Sequence, residues 1–106
     1  MVETPEGLRK IRLRGEMDLY AAPKALKLIL GFLEAGDKAI HLDLAEVNYL
    51  DSSGVGVLIR ILQHAKTKAA AITFSGIQGT PRKVLTLSNI LPLLKETDGG
   101  LIKRKI

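Results

Sequence analysis

The chain has 106 residues, enough for one domain of ordinary size and too few for two. Hydrophobic residues make up 46% and aromatics only 4%, so an aliphatic core is expected and general disorder is excluded. The net charge is +5, cysteine is absent, and no apolar run approaches the ~18 residues of a bilayer span, which excludes disulfides, thiolate chemistry and Cys-ligated metal and argues against membrane insertion.

The first ten residues, MVETPEGLRK, are acidic and polar with no hydrophobic stretch of the secretory kind, so a cytoplasmic protein is expected. Ile11-Arg12-Leu13-Arg14 alternates apolar with charged residues, the period of a strand with one face in the core, and Gly15 follows it. From Pro23 the period changes. Ala22, Leu26, Ile29, Leu30 and Leu33 fall on one helical stripe, with Pro23 suited to a first turn and Gly36 to a helix end. Ile40, Leu42 and Leu44 alternate with His41 and Asp43 in a second strand, and Ala45–Leu50 reads as a short connection. Asp51-Ser52-Ser53 opens a second helix whose apolar stripe is Val55, Leu58, Ile59 and Leu62. Ala70–Phe74 reads as a short buried strand. Thr80-Pro81 reads as a cap and first-turn proline for a third helix reaching about Leu87. Leu93–Thr97 completes the series as a last strand, and Asp98-Gly99-Gly100 as a turn. Strands alternating with helices specify an α/β domain with a largely parallel sheet linked by right-handed crossovers.

Charge is unevenly placed along this frame. Residues 1–59 carry 7 Lys/Arg against 9 Asp/Glu, a net of −2, while residues 60–106 carry 9 against 2, a net of +7. Such asymmetry suits a nucleic acid or an acidic protein. The bases, however, are scattered (Arg60, Lys66, Lys68, Arg82, Lys83, Lys95), only Lys103-Arg104-Lys105 forms a run, and no aromatics lie among them to stack on bases. They read as solvated faces plus a basic tail, and no direct nucleic-acid contact is expected.

Catalytic constellations are lacking. His41, on the outer face of its strand, and His64, on the polar side of its helix, have no acidic or serine partner at a telling spacing, so both are expected to be exposed. There is no G-x-S-x-G elbow and no P-loop, and Gly76-Ile77-Gln78-Gly79 is too sparse for a phosphate cradle. No catalytic residue, metal site or cofactor is assigned, and an enzyme is not expected.

The informative stretch is Tyr49-Leu50-Asp51-Ser52-Ser53-Gly54-Val55-Gly56-Val57. A polar cluster at a strand-to-helix transition places Asp51 or Ser52 at the N-cap, where its side chain satisfies free backbone N–H groups. That role alone would explain the residues. The same geometry also accommodates a phosphate on Ser52, beside the positive end of the helix dipole and near unpaired donors. Gly54 and Gly56 would let a partner surface approach closely. The phosphate would bring about −1.5 to −2 charge next to Asp51 and Asp18, repelling an acidic partner and spoiling an apolar docking face.

Ile40-His41-Leu42-Asp43-Leu44, Val47, Tyr49-Leu50 and then DSSGVGVL together resemble the STAS domain of bacterial anti-sigma factor antagonists. Gly15-Glu16-Met17-Asp18 is similar to the family's element after the preceding strand, and Thr80-Pro81 through Ser88-Asn89-Ile90 to its third helix and helix end. The resemblance spans about residues 8–97, leaving 98–106 as a short basic tail on a single domain of 1–106. It implies a small mixed, mostly parallel sheet with three to four helices packed on one side. It also implies that Ser52 is phosphorylated by a cognate anti-sigma factor with serine kinase activity, that the unphosphorylated form binds that factor, and that a PP2C-type phosphatase restores binding. ATP and Mg²⁺ belong to the kinase. By the same resemblance Asp18, Asp51, Ser52, Ser53, Gly54, Val55 and Gly56 form the partner-binding site, with Ser53 at a second hydroxyl position that hydrogen-bonds the helix start. An alternative role within the family is a STAS subunit of a lipid-handling ABC transporter, or a sensory scaffold, that docks without a switch at Ser52.

Three departures accompany the likeness. Only seven residues precede Leu8, so the family's first edge strand is expected to be very short or absent. Asn89 stands where glycine is usual, a tolerable change because Asn also reaches left-handed conformations. The few residues after Gly100 are too short for a full terminal helix, and a homodimer would cover the surface so exposed.

Overall fold

The computed structural model describes residues 7–97. Its elements are β1 (Leu8–Met17), α1 (Ala22–Glu34), β2 (Ala39–Leu50), α2 (Ser52–Thr67), β3 (Ala71–Ser75) and α3 (Gly79–Leu87), followed by a 3₁₀ turn over Leu91–Leu93. The strands lie in the order β1-β2-β3 and pair in parallel throughout, so the mixed part of the expected sheet is not seen among the described residues. Each strand is followed by a helix and then by its immediate neighbour. With right-handed crossovers this places every helix on the same side of the sheet, as expected.

Alternation decides the two faces. Ile40, Leu42, Ile72 and Phe74 point toward the helices and are buried there with Ile29, Leu33, Leu58, Ile61 and Leu85. On α1, Ala22, Ile29 and Leu33 are buried as the stripe predicts, and Pro23 occupies the first turn. Gly36 closes the helix with φ +105, its N–H donating to the Leu33 carbonyl and that of Asp37 to Phe32. The buried face of α2 is broader than its predicted stripe. Gly54, Val57, Ile61 and Ala65 join Val55 and Leu58, while Ile59 and Leu62 sit at the margin, because α2 packs on α1 as well as on the sheet.

Three expectations about the elements need correction. The segment Ala45–Leu50 is not a connection but the second half of β2. There β2 takes one extra residue twice against β1, between Arg12↔Asp43 and Arg14↔Glu46 and again between Gly15↔Val47 and Glu16↔Tyr49. These bulges put the buried Val47 and Leu50 three apart rather than two, so the strand loses its period-2 signature. Thr80 does not cap α3. The helix starts at Gly79 after Gln78, whose side chain instead donates to the Ala45 carbonyl at 3.2 Å. The last strand shrinks to a single bridge, Phe74↔Glu96, held by Phe74 N–H to Lys95 O at 2.8 Å and Thr97 N–H to Phe74 O at 2.7 Å. Asn89 does take a left-handed conformation, φ 60, where α3 ends. The turn expected at residues 98–100, the basic tail and the chain before Gly7 lie outside the described residues.

His41 also departs from expectation. It points away from the helices as the alternation predicts, yet it is fully buried. The hydroxyls of Thr73 and Ser75, on the same face of β3, each lie 2.7 Å from one ring nitrogen, and Thr97 Oγ1 lies 3.4 Å from Nδ1. A neutral ring, donating from one nitrogen and accepting at the other, satisfies this set without a buried charge. Desolvation first, and the Lys10 ammonium second, hold the imidazole below its ordinary range, while Asp43 pulls the other way. Because the unfolded chain then binds the proton more readily, stability is full above about pH 6.5 and falls as pH drops below it. Urea unfolding of the wild type is expected to show this decline between pH 7 and 5, and His41→Gln is expected to flatten it.

Candidate functional site

The end of the sheet where β1 and β2 finish gathers most of the residues singled out in the sequence. Met17 pairs with Leu50, so Asp18 and Asp51 leave neighbouring strands side by side. Asp51 is the N-cap of α2. Its backbone is extended (φ −114, ψ −168), and its Oδ1 accepts the N–H of Ser53 at 2.8 Å and of Gly54 at 3.3 Å. The first intrahelical bond follows from the Val55 N–H to the Asp51 carbonyl at 3.0 Å. Of the two candidate caps, Asp51 is therefore the one that serves.

Ser52 is left as the first residue of the helix, exposed, its hydroxyl without a hydrogen-bond partner among the described residues. Ser53 takes part through its backbone N–H rather than its hydroxyl. A group added to the Ser52 oxygen would meet solvent, the N-terminal pole of a 16-residue helix, and no side chain whose bonds it must break.

Gly54 and Val55 face inward, which corrects their expected place on a docking surface. Both are buried, and a Cβ on Gly54 would stand 2.4 Å from Leu50 Cδ1 and 2.7 Å from the Met17 carbonyl oxygen. Gly54 thus admits α2 to the end of β1 and fixes the site from beneath. Gly56 differs. It is half-exposed, and a Cβ there would meet nothing within 4 Å. Being i+4 from Ser52, it lies one turn along the same face.

Asp18 is fixed by the turn it makes. Its Oδ1 accepts the N–H of Tyr20 at 3.0 Å and of Ala21 at 2.9 Å, and its carbonyl accepts that of Ala22 at 2.9 Å. These donors, Ala21 foremost and then Tyr20, hold the carboxyl below the usual carboxylate range. The turn leaves Leu19 and Tyr20 exposed between β1 and α1, and Tyr49 exposed on β2. Leu19 and Tyr20 were not among the residues singled out in the sequence, and Tyr49 was named there only as part of the motif. The signal available was that both tyrosines of the chain adjoin Asp18 or Asp51 in a protein with four aromatics.

His64 stands apart from this end. It gains an acidic partner that sequence spacing did not reveal, Glu34 of α1, whose Oε2 lies 2.6 Å from Nε2, with Lys68 Nζ 3.3 Å from the other carboxylate oxygen. The His64 hydrogen bond and then Lys68 lower the Glu34 pKa. His64 is half-buried rather than exposed because it ties α2 to α1. No cluster of three or more metal-ligating side chains occurs among the described residues, and none of their helices is long and apolar enough to cross a membrane.

Known proteins share this fold. The family model described as STAS domain matches residues 1–99. The anti-sigma-B factor antagonist of Staphylococcus epidermidis is 21% identical over 96 residues, covering 91% of this chain and 89% of the relative. Among solved structures, the anti-sigma factor antagonist SpoIIAA in its unphosphorylated form superposes with a TM-score of 0.76 at 23% identity, over 92% of this chain and 85% of that one. The phosphorylated form of SpoIIAA, a cell fate determinant of Bacillus, gives 0.69 at 23% identity over 92% and 88%. A sulfate transporter family protein from Wolinella succinogenes gives 0.77 at 17% identity over 94% and 86%.

Proposed function

The chain belongs to the STAS domain family, and from that membership we propose that it is an anti-sigma factor antagonist, a binding module rather than an enzyme, switched by phosphorylation of Ser52. In this reading the unmodified protein binds an anti-sigma factor that is also a serine kinase, transfer of phosphate to Ser52 ends the complex, and a PP2C-type phosphatase restores it. ATP and Mg²⁺ are supplied by the kinase. The observation that carries the proposal is the division of labour at the start of α2: Asp51 caps the helix, and the Ser52 hydroxyl is exposed and unengaged. Modification therefore costs the fold no hydrogen bond. The new dianion lies where the helix dipole favours it, so the protein stays folded while its surface changes. The curated relative named as an anti-sigma-B factor antagonist and the two forms in which SpoIIAA was solved support the same reading.

Intact-mass analysis tests it. After incubation with ATP, Mg²⁺ and each anti-sigma-factor kinase of the source organism in turn, the wild type is expected to gain one phosphate and Ser52→Ala none. No added mass with any of them, or equal phosphate on both proteins, refutes the switch. The likeness to the Wolinella transporter-family protein favours a second reading, a STAS domain that docks on a transporter or scaffold. Copurification with a transporter ATPase, with no phosphate on Ser52 in cells, would select it.

A further inference from the structure

The rim around Ser52 combines acidic groups with exposed apolar ones, while Leu28, Leu87 and Leu93 are exposed elsewhere on the molecule. The rim is acidic in a basic protein: Glu16, Asp18 and Asp51 lie here, while neither Gly15–Pro23 nor Val47–Ile59 contains a Lys or Arg, although the whole chain carries +5. It also displays large apolar side chains that the core does not use. Tyr20 is 79% exposed, Leu19 64% and Tyr49 43%. The register of Tyr49 with Glu16, and of Leu50 with Met17, brings both tyrosines to the same end of the sheet.

The Leu19-Tyr20 pair is held in place. Two backbone N–H groups, of Tyr20 and Ala21, are tied to Asp18 Oδ1, and the Ala22 N–H is tied to the Asp18 carbonyl, so three successive donors brace the turn where it enters α1. A braced turn that points a leucine and a tyrosine at water adds little to folding. The same turn lowers the entropy cost of inserting those side chains into a partner. Tyrosine is the residue type that most often anchors such contacts, with an apolar ring and a polar tip.

We infer that Leu19 and Tyr20 are the anchor by which the protein holds its partner, that Asp18 is a positioning residue for that anchor, and that the matching surface is an apolar recess rimmed by Lys or Arg. This rests on the proposed binding of an anti-sigma factor, and it names the chemistry of the surface such a partner presents. The rim acids fix the sign of the partner's charge. The Leu19-Tyr20 pair fixes the recess. Oppositely charged rims speed encounter and set register, while the buried anchor governs the lifetime of the complex.

Isothermal titration together with surface-plasmon-resonance kinetics against the anti-sigma-factor kinases of the source organism separates the claims. Leu19→Ser and Tyr20→Ala are expected to weaken binding tenfold or more through faster dissociation, with melting curves unchanged. Asp18→Ala should weaken it comparably. Asp18→Asn retains an acceptor at Oδ1 and should recover most of the loss. Raising salt from 50 to 500 mM should slow association several-fold. Wild-type affinity in the Leu19 and Tyr20 variants, with Ser52 still phosphorylated, overturns the anchor and leaves the switch standing. Loss in Asp18→Asn as deep as in Asp18→Ala overturns the positioning role, and an association rate indifferent to salt overturns the cationic rim. Tight binding through Tyr20 without any phosphate transfer upholds the anchor and refutes the switch. Binding of the wild type to none of these kinases overturns both.

Discussion

Ser52→Asp is expected to weaken binding to the anti-sigma factor tenfold or more, while Ser52→Ala binds as tightly as the unmodified protein. Neither substitution should disturb the fold. Alanine removes a hydroxyl that engages nothing among the described residues. Aspartate places a carboxylate at the first position of α2, which the helix dipole favours by a few tenths of a kcal/mol. The effect arises at the interface. A partner closing over the start of α2 must strip water from whatever Ser52 carries. For a hydroxyl that cost is small, whereas an unpaired buried carboxylate costs several kcal/mol and each 1.4 kcal/mol is a factor of ten in affinity. Asp51 does not relieve the charge, since it is itself anionic and its Oδ1 is committed to the N–H groups of Ser53 and Gly54. A true phosphate, with up to twice the charge, should act more strongly than the mimic. Titration calorimetry of both variants with the kinase and a non-hydrolysable ATP analogue measures the difference. Equal affinities would show that Ser52 is not the switch.

Most of this site was legible in the sequence because its causes are local. A carboxylate, two hydroxyls and glycines between an apolar strand and an amphipathic stripe specify a capped helix start wherever they occur. What escaped the sequence depends on pairing across the fold. The bulges that extend β2 to Leu50 are imposed by its register with β1, and they erase the alternation by which a strand is recognised. His41 looked solvent-facing because nothing in its own strand can satisfy an imidazole; its partners Thr73 and Ser75 are more than thirty residues away. Glu34 and His64 lie on separate helices, so no spacing rule links them. The two glycines after Ser52 looked equivalent, since a sequence does not say which side of a helix turns inward.

That last distinction yields a change of opposite sign at positions two residues apart. Gly54→Ala is expected to destabilise the protein by about 1–3 kcal/mol, the usual cost of forcing an extra carbon into a packed interior. Leu50 could turn its side chain aside, but the Met17 carbonyl is backbone in a paired strand and cannot, so α2 must lift from the sheet. In a domain of this size 1 kcal/mol moves the melting temperature by roughly 4–8 °C, which makes the loss easy to read. Gly56→Ala is expected to raise stability by about 0.5–1 kcal/mol, because glycine is a poor helix former and the added methyl meets nothing. Under the proposed function, the position of Gly56 one turn along from Ser52 on the half-exposed face gives the missing side chain a use, close approach by the partner. Thermal melts and binding measured on the same two variants separate these roles. Gly54→Ala should lose stability, and Gly56→Ala should gain it while binding the anti-sigma factor more weakly. A stabilised Gly56→Ala with undiminished affinity would remove Gly56 from the interface.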